Sequence, residues 1–425
     1  MITRMLTPRE DYLIDLVDTM AFEGKCDFTK AKEECLAMTD EEVEKRLHPV
    51  PEYDPPLPSE LLPKDVWWGT FNDDGTRLQS CLCINNYTVR FGGEQVLMGG
   101  VGGVATLADS RRSGGIRAAM QMALRDMYEK DFAFSQLYPF STEYYRQYGY
   151  EKGMKVNTWT LPLEHIRADE KGGRIRQLLP GDSTDALTEI YNKFYDGWNL
   201  SVVRRHYDPK MDIEKLMNEK RYVFVWEDEL GTPKGFMITK KTMIENQPVL
   251  DCTTSFALNN GMLFLDARAF RAMLTFAKTA FSADYRAIRF DTPDCLYMDA
   301  LVGEGSSCRR VGKWDGMVRV VNVEKVLGLC RCRGEGSIVL SITDSMLPEN
   351  DGGWRITYAP GKPNQVERTD DAPDLTLPIG DFSTLICGIA DGNELSWMPN
   401  VQVHDPSVPY EQIFYPQKCF TMDLF

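Results

Sequence analysis

The chain has 425 residues, 43% hydrophobic, 26% charged and 11% aromatic, a composition of folded globular protein with length enough for about three domains. Its 63 acidic and 48 basic residues leave a formal net charge of -15, which repels polyanions and makes nucleic acid a poor partner. No run approaches the roughly 18 apolar residues of a membrane span, and acids arrive too early in the first residues for a signal peptide. A cytoplasmic protein with no membrane partner is the expectation.

In chain order, the first 66 residues read as mainly helical, with amphipathic segments at Asp11 to Met20 and Asp40 to Leu47, until the proline-rich loop Pro49 to Pro63 breaks the pattern. Strand-type runs follow at Trp67 to Phe71, Leu78 to Tyr87, Thr88 to Phe91 and Gln95 to Leu107, separated by the Asp73-Asp74-Gly75 and Gly92-Gly93 turns. Ile116, Met120, Ala123, Leu124 and Met127 then recur at helical spacing from Gly114 to Lys130, and the strand Phe132 to Leu137 completes an α/β unit. A second unit starts near Leu179, with Asp182 or Ser183 expected to cap a helix bearing Leu187, Ile190, Tyr191 and Phe194. The earlier order recurs in Tyr222 to Trp226, Lys234 to Thr239, Met262 to Leu265, the helix Ala267 to Phe281 and the strand Ala287 to Phe290, which reads as a duplicated fold. Strand-like runs at Met317 to Val323, Ser337 to Thr343, Trp354 to Tyr358 and Asp374 to Leu377, with a helical stretch Phe382 to Gly388, suggest a small α+β domain.

Eleven cysteines are scattered, two pairs of them as C-x-C at Cys81/Cys83 and Cys330/Cys332, and read as buried free thiols. The four histidines have neither metal-ligand spacing nor an accompanying nucleophile motif, so no metal is expected. The informative stretch is Gly102 to Arg117. There a strand runs into a basic, glycine-bearing turn that opens a helix, so unpaired backbone N–H groups and the positive end of the helix dipole converge. Arg111, Arg112 and Arg117 add positive charge, and Gly114 and Gly115 allow close backbone approach, an arrangement suited to phosphate. The spacing fits neither the Walker lysine motif nor G-x-G-x-x-G, which favours some other diphosphate ligand. Downstream, Leu137 to Tyr150 places aromatic hydroxyls just after the following strand.

The order of strand, R-x-x-G-x turn (Arg111 to Ile116), amphipathic helix, strand and Y-R-x-Y-G-Y (Tyr145 to Tyr150) resembles the GNAT superfamily of N-acetyltransferases, and Leu137 to Tyr150 is similar to its Eis-type branch. Ile116 departs from the glycine or alanine commonest in the wider superfamily. The resemblance spans the whole chain and implies an α/β (α+β) architecture of two tandem GNAT folds plus a C-terminal sterol-carrier-protein-like domain, here 1–165, 166–310 and 311–425. It implies acetyl-CoA as co-substrate, bound by Val104, Ala105, Thr106, Arg111, Arg112, Ser113, Gly114, Gly115, Ile116, Arg117 and Ser141. It implies Tyr145 as general acid, the terminal carboxylate of Phe425 as general base, and a homo-hexamer. A tyrosine, with pKa near 10, is protonated at neutral pH and can donate to a leaving thiolate, whereas a terminal carboxylate, near 3.5, needs desolvation or a relaying water to act as base. Tyr144, Tyr148 and Tyr150 read as core aromatics. The acidic balance, with Glu23 and Asp27 in the N-terminal segment, suits a polycationic amine such as the aminoglycosides that the resemblance implies, with Asp27 as a substrate contact; a polyamine, a lysine side chain or a small metabolite is the alternative acceptor.

In the second unit the matching turn, Phe264 to Arg268, lacks glycine and carries Asp266, which would cap its helix and repel pyrophosphate, so one active site per chain is expected. The rival readings are a lipid or hydrophobic-ligand carrier and a non-catalytic binding protein built on vestigial folds.

Overall fold

The computed structural model describes residues 1–206, 212–253, 261–302, 308–421 and 423. Two compact units emerge: one comprises 1–153 with 316–419, the other 154–315 with 420–424.

The first unit begins with a short strand β1 (Ile2–Met5) where the sequence suggests helix, because Ile2 to Met5 pair antiparallel with β2 (Asp65–Phe71). Helices α1 (Asp11–Phe22), α2 (Phe28–Ala37) and α3 (Asp40–Leu47) follow. β2, β3 (Leu78–Phe91) and β4 (Glu94–Thr106) form an antiparallel meander. The break anticipated between Tyr87 and Thr88 is absent, since β3 keeps its register with β4 out to Phe91. After α4 (Gly115–Glu129) the chain adds β5 (Phe134–Leu137) parallel to β4, and the short α5 (Thr142–Arg146) follows.

Strand alternation splits the side chains between two cores. Cys81 packs with Ile14, Val17 and Phe71 on the α1 side, while Leu82 packs with Ala119, Met120, Ala123 and Leu124 of α4. The apolar stripe of α4 is therefore the face that the 3.6-residue period marks.

The second unit contains β6 (Glu151–Pro162), β7 (Arg174–Gln177), α6 (Asp185–Phe194), α7 (Ile213–Asn218), β8 (Arg221–Glu227), β9 (Pro233–Ile244), β10 (Gln247–Cys252), β11 (Met262–Phe264), α8 (Ala267–Phe281), β12 (Ala287–Pro293) and α9 (Asp299–Val302). Its sheet runs β6-β12-β10-β9-β8-β7, with β11 also on β9 and with β10 and β12 parallel. Thr184, not Asp182 or Ser183, is the N-cap of α6; Asp182 instead accepts from the Leu179 N–H at 2.8 Å and Ser183 from the Asp185 N–H at 3.0 Å. Phe420 and Asp423 bond within this unit: the Phe420 N–H donates to the Asn199 carbonyl at 3.1 Å, and Asp423 forms a buried ion pair with Arg204 at 2.6 Å.

β13 (Arg309–Val320) belongs to the first unit from Gly316 onward and pairs there with β5 through Met317 to Val320. It stops short of Val323 because the Asn322 side chain caps α10 (Val323–Leu329), accepting from the Lys325 N–H at 2.9 Å. β14 (Gly336–Thr343), β15 (Gly352–Tyr358), β16 (Gln365–Arg368), β17 (Leu375–Pro378) and β18 (Gln402–Val403) make a separate five-stranded sheet, ordered β16-β15-β14-β17-β18. α11 (Ile379–Ile386) packs against that sheet through buried Ile379, Phe382, Leu385 and Ile386.

Candidate active site

The site begins where β4 outruns its neighbour. β4 pairs with β5 only over Met98 to Val101, so the stretch up to Thr106 keeps β3 on one side and has no strand partner on the other among the described residues. Leu82 faces two β4 residues, Gly103 and Val104, because Cys81 opposes Ala105 while Cys83 opposes Gly102. A bulge of this kind re-aims a strand and ends regular pairing. An extended ligand with amide groups can bond the edge that is left.

Beyond β4 the chain turns through Ala108 to Ser110 and enters α4 with Gly114 as N-cap. The first intrahelical bond reaching back to the cap is from the Ala118 N–H, which leaves the N–H groups of Gly115, Ile116 and Arg117 without helical partners. Arg112 holds a left-handed φ of 65°, a conformation rare for arginine and concentrated at functional sites. The Ser113 hydroxyl donates to the Ser110 carbonyl at 2.7 Å and fixes the turn, and Thr70 donates to the Gly115 carbonyl at 2.9 Å. A Cβ at Gly115 would lie 2.7 Å from the Ser80 hydroxyl, so only glycine lets the helix start this close to the sheet. Arg111, Arg112 and Arg117 are exposed and make no ion pair with a described residue, whereas nearby Arg77 is held by Asp109 at 2.9 Å.

This turn opens on a cleft of about 850 Å3. Val104 to Thr106 and Arg111 to Arg117 line it together with Ser80, Tyr144, Gln147 and Tyr148. Phe22 and Phe140, 62% and 75% exposed, stand at its edge. No acidic residue is among the described residues that line it.

The tyrosines keep most of their sequence reading as core aromatics, with two of them also reaching the cleft. Tyr144 and Tyr148, four residues apart, line the cleft, and the Tyr148 hydroxyl donates to that of Tyr144 at 3.2 Å. Tyr145, Tyr148 and Tyr150, all 3% exposed or less, join the core with Leu124 and Met127, and Tyr144 packs against it, so Tyr148 is the core aromatic expected and borders the cleft as well. Tyr145 is 3% exposed and packs edge-on against Phe140, Tyr144 and Tyr150. Its hydroxyl has no hydrogen bond to a described residue, and Tyr145 is not among the described residues that line the cleft. Burial, followed by the neighbouring Tyr144 and Tyr150 phenols, pushes its pKa up and keeps the proton on.

A buried ion pair fixes this segment from behind. Arg319 on β13, wholly buried, donates to the Tyr148 carbonyl at 2.7 Å and to both oxygens of Asp344 at 2.8 and 2.6 Å. Asp344 also accepts from the Met346 N–H and from Asn350. Gly149 has φ of 80°, and a Cβ there would collide with the Arg319 guanidinium. The Y-G-Y turn therefore needs glycine for its conformation and for the room Arg319 takes.

Residues 28–153 match the acetyltransferase (GNAT) domain family, and 323–420 match the sterol carrier protein domain family. The chain thus carries a GNAT acetyltransferase domain followed by a sterol carrier protein domain. An uncharacterized N-acetyltransferase of Streptomyces avermitilis is 22% identical over 326 residues, covering 70% of this chain and 73% of its own. Among solved structures, a conserved protein of unknown function from Enterococcus faecalis V583 superposes with a TM-score of 0.81 at 20% identity, covering 100% of this chain and 99% of its own. A GCN5-related N-acetyltransferase from Anabaena variabilis gives 0.76 at 18%, and Eis1 from Mycobacterium abscessus 0.72 at 17%, each covering 100% of both chains. These structures share the fold.

Within the GNAT domain, ten of the residues expected at the cofactor, Val104 to Thr106 and Arg111 to Arg117, come together in one cleft. Ser141 lies outside that lining; its side chain caps α5, accepting from the Tyr144 N–H at 3.4 Å. Asp27 is not brought there either. It caps α2, accepting from the Lys30 N–H at 3.2 Å, and lines a separate depression with Asp15, Asp18 and Glu34. Phe425 lies outside the described residues. The residues present fit acetyl-CoA: a helix start without side-chain cap, three arginines with no carboxylate partner among the described residues, and an open strand edge face one cleft. Sequence pattern does not mark Phe22, Ser80, Gln147 or the cleft-facing Tyr144 and Tyr148. Only the i, i+4 spacing of the two tyrosines hints at a shared face.

In the second unit the helix start is filled. The Asp266 side chain accepts from the Ala269 N–H at 2.8 Å and caps α8, and Arg268 is held by Glu170 at 2.8 Å and by Glu229.

Proposed function

We infer that this enzyme transfers an acetyl group from acetyl-CoA to a primary amine of a polycationic acceptor, of the aminoglycoside or polyamine class, in the manner of Eis-type acetyltransferases. The observation that carries the reading is the uncapped start of α4, flanked by Arg111, Arg112 and Arg117, opening on the cleft that the tyrosine segment borders. Acetyl-CoA supplies a thioester carbonyl and, on transfer, a thiolate leaving group. The N–H groups of Gly115 to Arg117 and the three guanidinium groups bind the anionic diphosphate. The free edge from Val104 to Thr106 orients the pantetheine amides, which brings the carbonyl carbon within reach of the amine.

Two protons must move: one leaves the attacking nitrogen and one arrives on the departing sulfur. Tyr145 is assigned the second, its proton retained by burial. The α-carboxylate of Phe425 is assigned the first, a role left open by the lack of an acid among the described lining residues. The net charge of -15 supports attraction of a cationic acceptor at long range. A homo-hexamer, tested by light scattering on the purified protein, belongs to the same proposal.

The test is thiol release from acetyl-CoA across a panel of aminoglycosides, polyamines and simple amines. Turnover that depends on both substrates is expected, and no thiol with any amine defeats the proposal. Extending the chain beyond Phe425 should abolish turnover; an active extended enzyme places the base elsewhere.

The sterol carrier protein match over 323–420 favours a second reading, carriage of a hydrophobic ligand. Thermal shift separates the two: under the first, acetyl-CoA raises the melting temperature by mass action; under the second, fatty acids do and acetyl-CoA does not.

A further inference from the structure

The two C-x-C pairs, which the acetyltransferase reading does not use, turn out to be physically different. Cys81 and Cys83 lie on β3 and are both buried, and burial pushes both thiols up, Cys81 to about 12. Thiols so rarely ionised are poor nucleophiles and stay inert. Cys330 and Cys332 are not on a strand. Cys330 is the C-cap of α10, where the chain leaves the helix with ψ of 142°, and this bend brings the two sulfurs to 3.8 Å.

The pair is also asymmetric. Cys330 is buried, its thiol 3.2 Å from the Leu327 carbonyl, to which it donates. Cys332 is half-buried and reachable from solvent. The Asn364 amide holds the bend, donating to the Leu327 and Cys330 carbonyls at 2.9 and 2.7 Å and approaching the Cys330 sulfur at 3.5 Å. The charged neighbours are anchored: Arg331 donates to the Gly92 carbonyl, and Arg333 lies over the Tyr415 ring at 3.8 Å. When the single Cys330 proton turns instead to the Cys332 sulfur, that bond lowers the Cys332 thiol below its ordinary range and raises that of Cys330. One thiol is thus the more readily ionised and the more accessible, and the other waits beside it.

We propose that Cys330 and Cys332 form a redox-active dithiol, a modification site on the sterol-carrier part of the chain, whose oxidant is a small-molecule disulfide. The Cys332 thiolate attacks one sulfur of the disulfide, a new S–S bond forms, and one small thiolate leaves. The Cys330 sulfur, as it gives up its proton, then attacks the Cys332 sulfur and expels the second small thiolate. Two protein thiols and one disulfide become one intrachain disulfide and two small thiols, two electrons passing to the oxidant. The sulfurs must close from 3.8 Å to a bond of about 2.0 Å, a movement that side-chain rotation just beyond the helix end can supply.

The test incubates the full chain with glutathione disulfide and maps disulfides by mass spectrometry without reduction. A Cys330–Cys332 bond, with loss of two hydrogens, is expected, while Cys81 and Cys83 stay reduced. Cys330→Ser should trap a glutathione adduct on Cys332, and Cys332→Ser should leave Cys330 unmodified. The proposal fails if the wild-type pair stays reduced while Cys26 or Cys308 is modified, or if the adduct forms on Cys330 instead. Because the wild-type map is decisive by itself, a variant that folds poorly does not spare the proposal.

Discussion

Two helix starts, one in each unit, differ in whether a side chain of the protein already satisfies their free N–H groups. Both helices follow a strand that pairs antiparallel with the long strand before it, and in each unit a parallel pair, β4 with β5 and β10 with β12, brackets the helix. Ahead of α4 the cap is a glycine with no side-chain bond, and the neighbouring arginines have no carboxylate partner among the described residues. Ahead of α8 the cap is Asp266, whose carboxylate satisfies a backbone N–H, and the nearby arginine is consumed by Glu170 and Glu229. The helices that follow the next strand differ too: α5 carries Tyr144 and Tyr145, and α9 carries no tyrosine. The same dipole is present at both helix starts; what distinguishes them is whether the protein's own carboxylate already answers it.

The largest effect should come from removing the proton assigned to Tyr145. Tyr145→Phe keeps the ring packed against Phe140 and Tyr150 and deletes one oxygen. Turnover is expected to fall by about 10^2 to 10^4, the usual weight of a general acid, with the KM for acetyl-CoA little changed. Because burial raises this phenol, the alkaline fall of wild-type kcat due to Tyr145 should come above about pH 10, where a free tyrosine titrates. An unchanged rate in the variant would pass the role to the cleft-lining Tyr148, and Tyr148→Phe would then show the loss.

A smaller effect should follow from copying the second unit's cap into the first. Gly114 has open space where a Cβ would point, so Gly114→Asp can be housed, although its φ of 88° adds some strain. The new carboxylate would meet the helix dipole and oppose the diphosphate. An electrostatic loss of about 1 to 2 kcal/mol corresponds to a rise of about tenfold in the KM for acetyl-CoA. Gly114→Asn, with the same shape and no charge, should rise much less; equal losses in the two would point to sterics and remove the electrostatic explanation.

Much of this contrast is legible in the sequence because it is local. The apolar period that marks α4 and α8 runs within each helix, and the glycines at 114 and 115 and the aspartate at 266 act within its first turn. What escapes is set by partners far along the chain. β1 is a strand only because β2, some 65 residues later, offers it an edge. Asp27 looks available to a cationic substrate, but its oxygen is spent on the Lys30 N–H. That Tyr144 lines the cleft and its neighbour Tyr145 does not is set by a five-residue helix too short for a period to declare. Arg319 and Asp344 read as an ordinary strand residue and a loop acid, and nothing in either local sequence says that together they hold the Tyr148 carbonyl.

The mildest and most discriminating change is Asp266→Ala. If Asp266 serves only as a cap, its loss should cost about 0.5 to 2 kcal/mol of stability, seen as a lower melting temperature or denaturant midpoint. Freeing that helix start does not by itself make a phosphate site, because the second unit lacks the glycine at the cap and Arg268 stays bound to Glu170 and Glu229. Acetyl-CoA stoichiometry measured by calorimetry should therefore remain one per chain, and kcat and KM should match the wild type. A second binding event in Asp266→Ala would mean that one carboxylate had been enough to silence the site, and the contrast between the two helix starts would reduce to that single charge.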